Sequence, residues 1–316
     1  MYSALSMLPK LSDEPVACPL CGCGEVSFFR EQAVAPVVQR WERDWKIDVT
    51  SCFECIESFQ EQTCNRCRIR FYVPGTLAGP PGLYAQLGGP EYYRPDKWEY
   101  RVALEDLNAG CRVLEVGCGF GEFLSLARRA GIQAEGLEQN PEALRETLRR
   151  GLDARADDFC SLAAHSPGAY DGICMFQVLE HVPNPGDFLH AACKALSEGG
   201  RLVLAVPNAE SFLRHAWNIL DMPPHHMTRW SIAAMESIER LFPLRLLRLR
   251  VEPLANYHIH DYVEAYFSAW SAKPRLRLFS HPAAKSATAA LIRGMALRHL
   301  LRGHTLYACF MRVDAK

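Results

Sequence analysis

The chain has 316 residues, of which 49% are hydrophobic and 22% charged, and its formal net charge is −1. These values are typical of a globular protein with room for two domains, and the near-neutral charge does not indicate a nucleic-acid partner. No apolar run reaches the length of a membrane span, and residues 1–9 lack the features of a signal peptide. With thirteen cysteines, this composition predicts a cytoplasmic, reducing location and cysteines that bind metal instead of forming disulfides.

Two cysteine pairs near the N-terminus have the spacing of zinc knuckles. Cys18-Pro-Leu-Cys21 is the first, and Cys64-Asn-Arg-Cys67 is the second. Four thiolates satisfy the tetrahedral geometry of structural zinc and leave no open position. The sequence therefore predicts one structural zinc ion bound by Cys18, Cys21, Cys64 and Cys67.

Other cysteines offer alternative ligands. Cys23 could replace Cys21, and Cys52-Phe-Glu-Cys55 could replace the first knuckle over a shorter loop. Apolar residues at helical spacing precede this second pair: Trp41, Trp45 and Val49. The helical pattern favours Cys52 and Cys55 as small buried hydrophobic residues.

Composition suggests where the domains begin and end. The strand-like stretch 69–73 follows the second knuckle, and residues 74–95 are rich in proline and glycine. We interpret residues 1–75 as a zinc-binding module, 76–97 as a linker that leads into the next domain, and 98–316 as that domain. It begins with an amphipathic helix at about 98–107.

Residues 113–121, Val-Leu-Glu-Val-Gly-Cys-Gly-Phe-Gly, predict a strand that runs into a glycine turn and then a helix. Gly117, Gly119 and Gly121 allow the backbone to approach a ligand closely, and the helix start offers free N–H groups. The acid in the strand, Glu115, disfavours a pyrophosphate and favours a cationic ligand with an amino group. Cys118 is interpreted as a small residue that fills space within the turn.

After the glycine turn, helices and strands alternate, which predicts an α/β fold with a mainly parallel sheet. The second strand, 133–137, ends at Glu138-Gln139, and an acid at this place binds ribose hydroxyls in nucleotide-binding α/β domains. Further strands are predicted near 153–156, 170–176, 201–206, 244–251 and 305–313. The last is expected to be antiparallel, with a helical insertion at about 258–303 before it.

This succession resembles the class I S-adenosylmethionine (SAM) methyltransferases of the small-molecule type over about residues 100–250. The shared motifs are Leu-Glu-Val-Gly-Cys-Gly-Phe-Gly, Gly-Leu-Glu, Asp-Gly-Ile, Leu-Glu-His-Val, Gly-Gly-Arg-Leu and Val-Pro-Asn. The resemblance implies a seven-stranded Rossmann-like sheet and methyl transfer to an O, C or N atom of a small molecule. Because the N-terminal knuckles resemble a subgroup that includes sugar methyltransferases, a sugar or nucleotide-sugar is an expected acceptor.

The resemblance also implies which residues bind SAM. An acid after the third strand accepts a bond from the adenine amino group, and Asp157 and Asp158 are equal candidates, with Phe159 along the ring. The expected cofactor-binding residues are Glu115, Gly117, Cys118, Gly119, Gly121, Glu138, Gln139, Asp157, Asp158, Phe159 and Gln177.

Histidines follow two strands at the edge of the sheet where α/β ligands bind. His181 follows the fourth strand, and His225-His226 follows the fifth behind Pro223-Pro224. Since histidine is the usual base near neutral pH and the prolines restrict the backbone, we favour His225 or His226 as the base. His181, beside Glu180, is the alternative. A related quinone O-methyltransferase group holds a divalent metal with Glu-x-x-Glu-His, but Gln177 stands here at the first acid.

Residues 265–313 contain no Asp or Glu but several basic residues, and apolar residues recur at helical spacing over 287–301. This pattern fits a helical lid or dimer surface, a surface for an anionic substrate, or contact with a membrane surface. The alternative function is a SAM-binding interaction protein without turnover, for which a plugged substrate cavity is expected. An NAD-dependent oxidoreductase is disfavoured by the glycine spacing and Glu115.

Overall fold

The protein is described here by a computed structural model, and the structure describes residues 16–87, 94–271 and 282–314. Its strands are, in chain order, β1 Val26–Ala33, β2 Ser58–Cys64, β3 Arg70–Val73, β4 Arg112–Val116, β5 Gln133–Leu137, β6 Ala154–Arg155, β7 Tyr170–Phe176, β8 Leu196–Pro207, β9 Thr228–Arg229, β10 Leu244–Pro253 and β11 Arg302–Arg312. Its α-helices are α1 Val34–Trp45, α2 Pro81–Leu87, α3 Trp98–Asp106, α4 Glu122–Arg129, α5 Pro141–Arg149, α6 Phe159–His165, α7 Pro185–Ala195, α8 Ile232–Leu241, α9 Ile259–Ser271 and α10 Pro282–Gly294.

Seven strands form the central sheet in the order β10-β11-β8-β7-β4-β5-β6. The strands from β4 to β8 are parallel, whereas β11 runs antiparallel to both β8 and β10. The central strands are almost wholly apolar, since helices cover both faces of a parallel sheet; Val113, Leu114 and Ile173 are fully buried. The prediction of a mostly parallel seven-stranded sheet with an antiparallel last strand is confirmed.

Local sequence explains how the helices at the carboxyl edge of this sheet begin. Gly121 precedes α4 with a left-handed φ of 76°, a conformation that glycine adopts without strain. Asn140 caps α5 by accepting the N–H of Glu142, and Pro141 occupies the first turn. Both turns direct the chain back over the sheet and leave the strand ends open at one edge.

The N-terminal residues form a second sheet of four strands, in the order β1-β2-β3-β9. Strand β9 comes from the middle of the predicted α/β domain, and Phe71 of β3 pairs with Thr228 of β9. The apolar side chains Trp41, Phe59 and Met227 belong to one buried cluster. The N-terminal module is therefore continuous with the larger domain.

The described residues of the stretch interpreted as a linker, 76–87 and 94–97, are largely structured. This part of the chain contains a short 3₁₀ helix, Gly75–Leu77, and α2, whose Leu83 and Leu87 are buried. The N–H of Gly79 donates to the Pro224 carbonyl at 2.8 Å. Proline and glycine mark this stretch as irregular, but their positions do not reveal that it packs against the loop that carries His225.

The stretch around Cys52 and Cys55 differs from the expected helix. Helix α1 ends at Trp45, where Lys46 takes a left-handed φ of 58°, and residues Thr50–Phe53 form only a 3₁₀ turn. Cys52 is half-buried and Cys55 is exposed. The expectation that Cys55 is a buried hydrophobic residue is wrong, because the helix that would have turned it inward has already ended.

Helices α9 and α10 form the C-terminal insertion between β10 and β11. Val263 and Phe267 of α9 share a small apolar cluster with Ile292 of α10 and Phe212, and Lys285 forms an ion pair with Glu264 at 2.6 Å. Three basic residues of the stretch 265–313, Lys273, Arg275 and Arg277, lie outside the described residues. Within the described ranges, no helix is long and apolar enough to cross a membrane.

Candidate active site

A cavity of about 1220 Å³ opens at the carboxyl edge of the central sheet. Its wall combines the glycine turn after β4, the end of β5, the residues after β6, and the loops after β7 and β8. Most of the predicted site residues line it: Gly117, Cys118, Gly119, Glu138, Gln139, Asp157, Asp158, Phe159, Gln177, His181, His225 and His226. Glu115 and Gly121 are absent from this lining.

The glycine turn is fixed by left-handed backbone conformations and by hydrogen bonds of its backbone N–H groups. Gly117 and Gly119 take left-handed φ values of 73° and 53°, which residues with side chains rarely adopt. The N–H groups of Gly117 and Cys118 both donate to the Leu137 carbonyl, at 2.8 and 3.0 Å. A Cβ added to Gly117 would lie 2.8 Å from the Val178 side chain, so the turn accepts no larger residue without moving its neighbours.

Glu138 joins the end of β5 to this turn. Its two carboxylate oxygens accept the N–H groups of Gly119 and Asn140, each at 2.7 Å. The side chain is only 8% exposed, and burial raises the pKa of Glu138 although the two N–H groups act in the opposite direction. Glu138 is thus fixed at the cavity wall.

Glu115 and Gly121 lie behind the cavity wall. Glu115 is 1% exposed, burial raises its pKa well above the usual range, and one of its oxygens has no hydrogen-bond partner among the described residues. A Cβ on Gly121 would approach Leu152 and Thr147 to 2.6 and 2.9 Å, while the Thr147 hydroxyl donates to the Gly119 carbonyl at 2.8 Å. Gly121 therefore allows α5 to pack against the turn.

The residues after β6 already have partners within the protein. Asp158 caps α6 by accepting the N–H of Ser161 at 2.8 Å, and Asp157 forms an ion pair with Arg155 at 2.7 Å. Gln139 donates its amide to the Asp157 carbonyl at 3.1 Å. Both acids are exposed along the cavity, so the structure leaves both of them as candidates for the adenine contact. Phe159 is buried beneath them.

Three histidine rings meet on the opposite side of the cavity. The ring centroids of His181, His225 and His226 are separated by 4.4 to 4.9 Å. His181 Nδ1 donates to the His225 carbonyl and His225 Nδ1 to the Leu220 carbonyl, both at 2.8 Å, while His226 Nδ1 lies 3.5 Å from Asp221 Oδ1. Two separate loops thus bring the predicted histidines together.

Burial keeps these imidazoles neutral, because removing a cation from water disfavours its charged form. It lowers the pKa of His181 to about 3 and the pKa of His225 well below the ordinary value. The pKa of His226 is also lowered by burial, although Asp221 opposes the shift. Burial raises the pKa of the neighbouring Glu180 to about 8.

Several residues of this wall were not predicted from the sequence. Tyr84 of α2 meets the His181 ring edge-on at a centroid distance of 5.1 Å. Asp221 is 5% exposed and pairs with both His226 and Arg229. Lys97 also lines the cavity. Tyr84 and Asp221 belong to no recognisable motif, and the sequence assigned no site role to Lys97, because all three reach the cavity only through long-range packing.

The four predicted zinc ligands form a compact cluster. The Sγ atoms of Cys18 and Cys67 lie 3.5 Å apart and those of Cys21 and Cys64 3.6 Å apart, and all four sulfurs lie within 4.8 Å of one another. Thiolates on one tetrahedral zinc at 2.3 Å are separated by about 3.8 Å, so the cluster fits the ion. Cys23 is not part of this group.

Comparisons with known proteins agree with this architecture. A family model described as a methyltransferase domain matches residues 92–247. The chain is 35% identical over 191 residues to a ubiquinone biosynthesis O-methyltransferase of Xanthomonas oryzae pv. oryzae, covering 58% of this chain and 70% of that protein. The protein belongs to the class I SAM-dependent methyltransferases. The methyltransferase is also 28% identical over 173 residues to a ubiquinone biosynthesis O-methyltransferase of Ralstonia nicotianae, covering 48% of this chain and 73% of that protein.

Among solved structures, the methyltransferase is similar to a chain in the complex between the Haloferax volcanii Trm112 methyltransferase activator and the putative methyltransferase. The TM-score is 0.52 at 18% identity, with 74% of this chain and 98% of that chain covered. At this identity the match shows a shared fold. The assignment as a SAM-dependent enzyme rests on the family model and the relatives of known name, and the residues that bind SAM are predictions.

Proposed function

We propose that the enzyme transfers the methyl group of SAM to a hydroxyl oxygen of a small molecule. The observation that supports this most strongly is the continuity of the cavity, which is lined by the glycine turn and Glu138 on one side and by the three histidines on the other. One cavity can thus hold both a cofactor and an acceptor. Its open interior also favours an enzyme over a SAM-binding protein without turnover.

The cofactor half of the proposal follows the glycine turn. The methionine end of SAM lies over Gly117 and Gly119, whose lack of side chains gives it room. The ribose hydroxyls bind Glu138, which is already oriented by two backbone N–H groups. The adenine lies beside Phe159, with Asp157 or Asp158 accepting from its amino group.

The acceptor half rests on the histidines. Methyl transfer requires the nucleophile in line with the sulfonium, and a hydroxyl must also lose its proton. His225 and His226 line the cavity, and one nitrogen of each neutral ring has a lone pair that can accept a proton, although burial lowers the pKa of both rings. His181 is the third candidate. Since the relatives reported above are named O-methyltransferases, oxygen is the preferred nucleophile.

Three basic side chains could contact an anionic group of the acceptor, although acidic residues are more numerous in the cavity lining as a whole. Arg40, Arg94 and Lys97 line the cavity, and Arg94 stacks on Tyr257 at 4.0 Å. Lys97 forms no ion pair within the described residues. A nucleotide-sugar or another phosphorylated sugar combines the required hydroxyl and anionic group. We further propose that Cys18, Cys21, Cys64 and Cys67 bind one structural zinc ion.

The test is transfer of an isotopically labelled methyl group from SAM to a panel of sugars, nucleotide-sugars and phenols, with mass spectrometry to locate the label. H225A or H226A should lower turnover by about a hundredfold, the usual scale of general-base loss, while SAM affinity is unchanged. H165A is the matched control, because His165 is exposed at the end of α6 and lines neither the cavity nor the surface beside the cysteine cluster. Label found only on nitrogen or carbon would contradict the proposal.

A further inference from the structure

The three histidines of the cavity form a cluster that is unusual for a site with a single base. One ring nitrogen from each of His181, His225 and His226 lies within 4.8 Å of the other two. We infer that these three residues form a binding site for a divalent transition-metal ion of the zinc class, separate from the four-cysteine cluster. The metal site itself does not depend on the proposed function, whereas its role in catalysis does.

The spacing of the nitrogens is close to what such an ion requires. Imidazole nitrogens bind zinc at 2.0–2.1 Å, which separates two of them by about 3.3 Å in a tetrahedral site. In the structure the three nitrogens lie within 4.8 Å of one another. A movement of each ring by about 1 Å or less would bring them to the distance that the ion requires. Rotation about the side-chain bonds of His181, His225 and His226 supplies such a movement without a change in the fold.

The hydrogen bonds of the rings support the same conclusion. Metal-binding histidines usually donate their second ring nitrogen to a backbone carbonyl or a carboxylate, which fixes the tautomer and the ring orientation. His181 and His225 donate Nδ1 to backbone carbonyls, and His226 Nδ1 faces the Asp221 carboxylate. In these tautomers Nε2 carries the lone pair of each ring.

The loop that carries two of the ligands is also held in place by its backbone. The N–H groups of His225 and His226 both donate to the Met222 carbonyl at 3.1 Å. The N–H of Met227 donates to the Glu180 carbonyl at 2.7 Å, which ties this loop to the residue beside His181. Both ligand loops are thus fixed before any ion binds.

An unsatisfied acid beside the rings is a second, independent indication. Glu180 lines the cavity and is 1% exposed, and its Oε2 has no hydrogen-bond partner among the described residues. Its Oε1 lies 3.8 Å from His181 Nε2. Buried polar atoms are rarely left unpaired, and a cation or its bound water beside His181 would satisfy this oxygen.

The ligand set differs from the Glu-x-x-Glu-His pattern and predicts a different metal preference. Gln177, at the position of the first acid, has a φ of 59° and donates its amide to Glu99 at 3.1 Å, so it completes no acidic site. Three imidazoles favour Zn²⁺, Co²⁺ or Ni²⁺, whereas Mg²⁺ prefers oxygen ligands. The preferred ion should therefore be a transition metal.

Three protein ligands leave a coordination position open toward the cavity. There the ion would bind the acceptor hydroxyl and lower its pKa. The O–H bond breaks and its proton passes to solvent water; the oxygen then forms a bond to the methyl carbon as the S–C bond breaks, and its electron pair stays on sulfur. In this role the three histidines act together, and no single one needs to accept the proton.

The test uses Co²⁺ as a spectroscopic probe on the full-length protein after the four-cysteine cluster has been loaded with zinc. We expect one further equivalent of Co²⁺, with visible d–d absorption but without thiolate-to-cobalt charge transfer. H181A and H226A should each weaken Co²⁺ binding by about a hundredfold or more, and D221N by about tenfold. H165A should bind as the wild type, Zn²⁺ should displace Co²⁺, and a hundredfold excess of Mg²⁺ should not.

Unchanged SAM affinity in each variant establishes that the protein is folded. The inference is overturned if the wild type takes up no second equivalent of Co²⁺ at millimolar concentration, or if binding survives in both H181A and H226A. Hydroxyl methylation at full rate without the second metal would remove its catalytic role and leave the proposed function intact. Stoichiometric Co²⁺ binding without methylation of any hydroxyl would contradict the proposed function and leave the metal site intact.

Discussion

Replacing Glu138 with glutamine should weaken SAM binding by a predictable amount. Each oxygen of the carboxylate accepts one backbone N–H at 2.7 Å, from Gly119 and from Asn140. An amide has only one oxygen, so the glutamine would lose one of these bonds and would contact the ribose without a charge. A hydrogen bond to a charged group contributes about 1.5–3 kcal/mol, which corresponds to a Kd increase of roughly ten- to a hundredfold.

Titration calorimetry with SAM and with its demethylated product measures this change. Glu135→Gln is the matched control, because Glu135 lies on β5, the strand that Glu138 follows, and is 9% exposed but pairs with Arg112 and Arg155 outside the cavity. E135Q should lower the melting temperature and leave the Kd for SAM unchanged. A folded E138Q protein with the wild-type Kd would refute the assignment of Glu138 to the ribose.

Three further predictions concern the glycine turn, the zinc cluster and a buried acid. G119V should abolish SAM binding in calorimetry, because the left-handed φ of 53° strains a β-branched residue and the added side chain occupies the space of the ligand. Wild-type affinity of this variant would contradict the proposed SAM site. C64S should release about one equivalent of zinc in metal analysis and expose residues 16–73 to protease, because such metal binding is coupled to folding. Burial raises the pKa of Glu252 to about 7, above the ordinary value of about 4.3, so ionisation destabilises the fold as pH rises from about 4 through 7. E252Q, which cannot ionise, should therefore gain stability relative to the wild type by about 2 kcal/mol between pH 5 and pH 8 in urea unfolding.

The central sheet could be predicted because each of its strands has a local signature. Val113, Leu114 and Val116 form a short apolar run that ends in glycine, and the strand at 170–176 carries a second apolar run, which ends at Gln177. Parallel strands place their carboxyl ends at one edge, so residues that follow separate strands could be assigned to one site. This reasoning correctly placed Glu138 and His181 at the same cavity.

The second sheet could not be predicted, because its pairing depends on residues far apart in sequence. Strand β9 is only two residues long and pairs with β3, more than 150 positions earlier. Such a strand has no periodicity of its own. For the same reason Tyr84, in a stretch dominated by proline and glycine, gave no sign that its ring meets His181.

The glycine motif could not show which of its own residues contact the ligand. Glu115 precedes the turn by two positions and Gly121 follows Gly119 by two, so the motif alone does not distinguish ligand contact from packing. In the structure Glu115 is buried below the turn, and Gly121 faces Thr147 and Leu152. The motif correctly indicates a glycine turn at the cavity, while the three-dimensional packing decides which of its residues line that cavity.

The N-terminal sheet should influence the acceptor side of the cavity more than the cofactor side. The Tyr72 hydroxyl, on β3, donates to the Asp221 carbonyl at 3.0 Å, and Asp221 in turn contacts His226 and Arg229 of the histidine loop. Y72F removes a hydrogen bond that contributes about 1 kcal/mol, enough to shift this loop without unfolding the protein. We expect kcat to fall several-fold for any acceptor identified, with an unchanged Kd for SAM. A parallel loss of SAM affinity would mean that Tyr72 supports the whole domain, and an unchanged kcat would mean that the histidine loop is positioned without it.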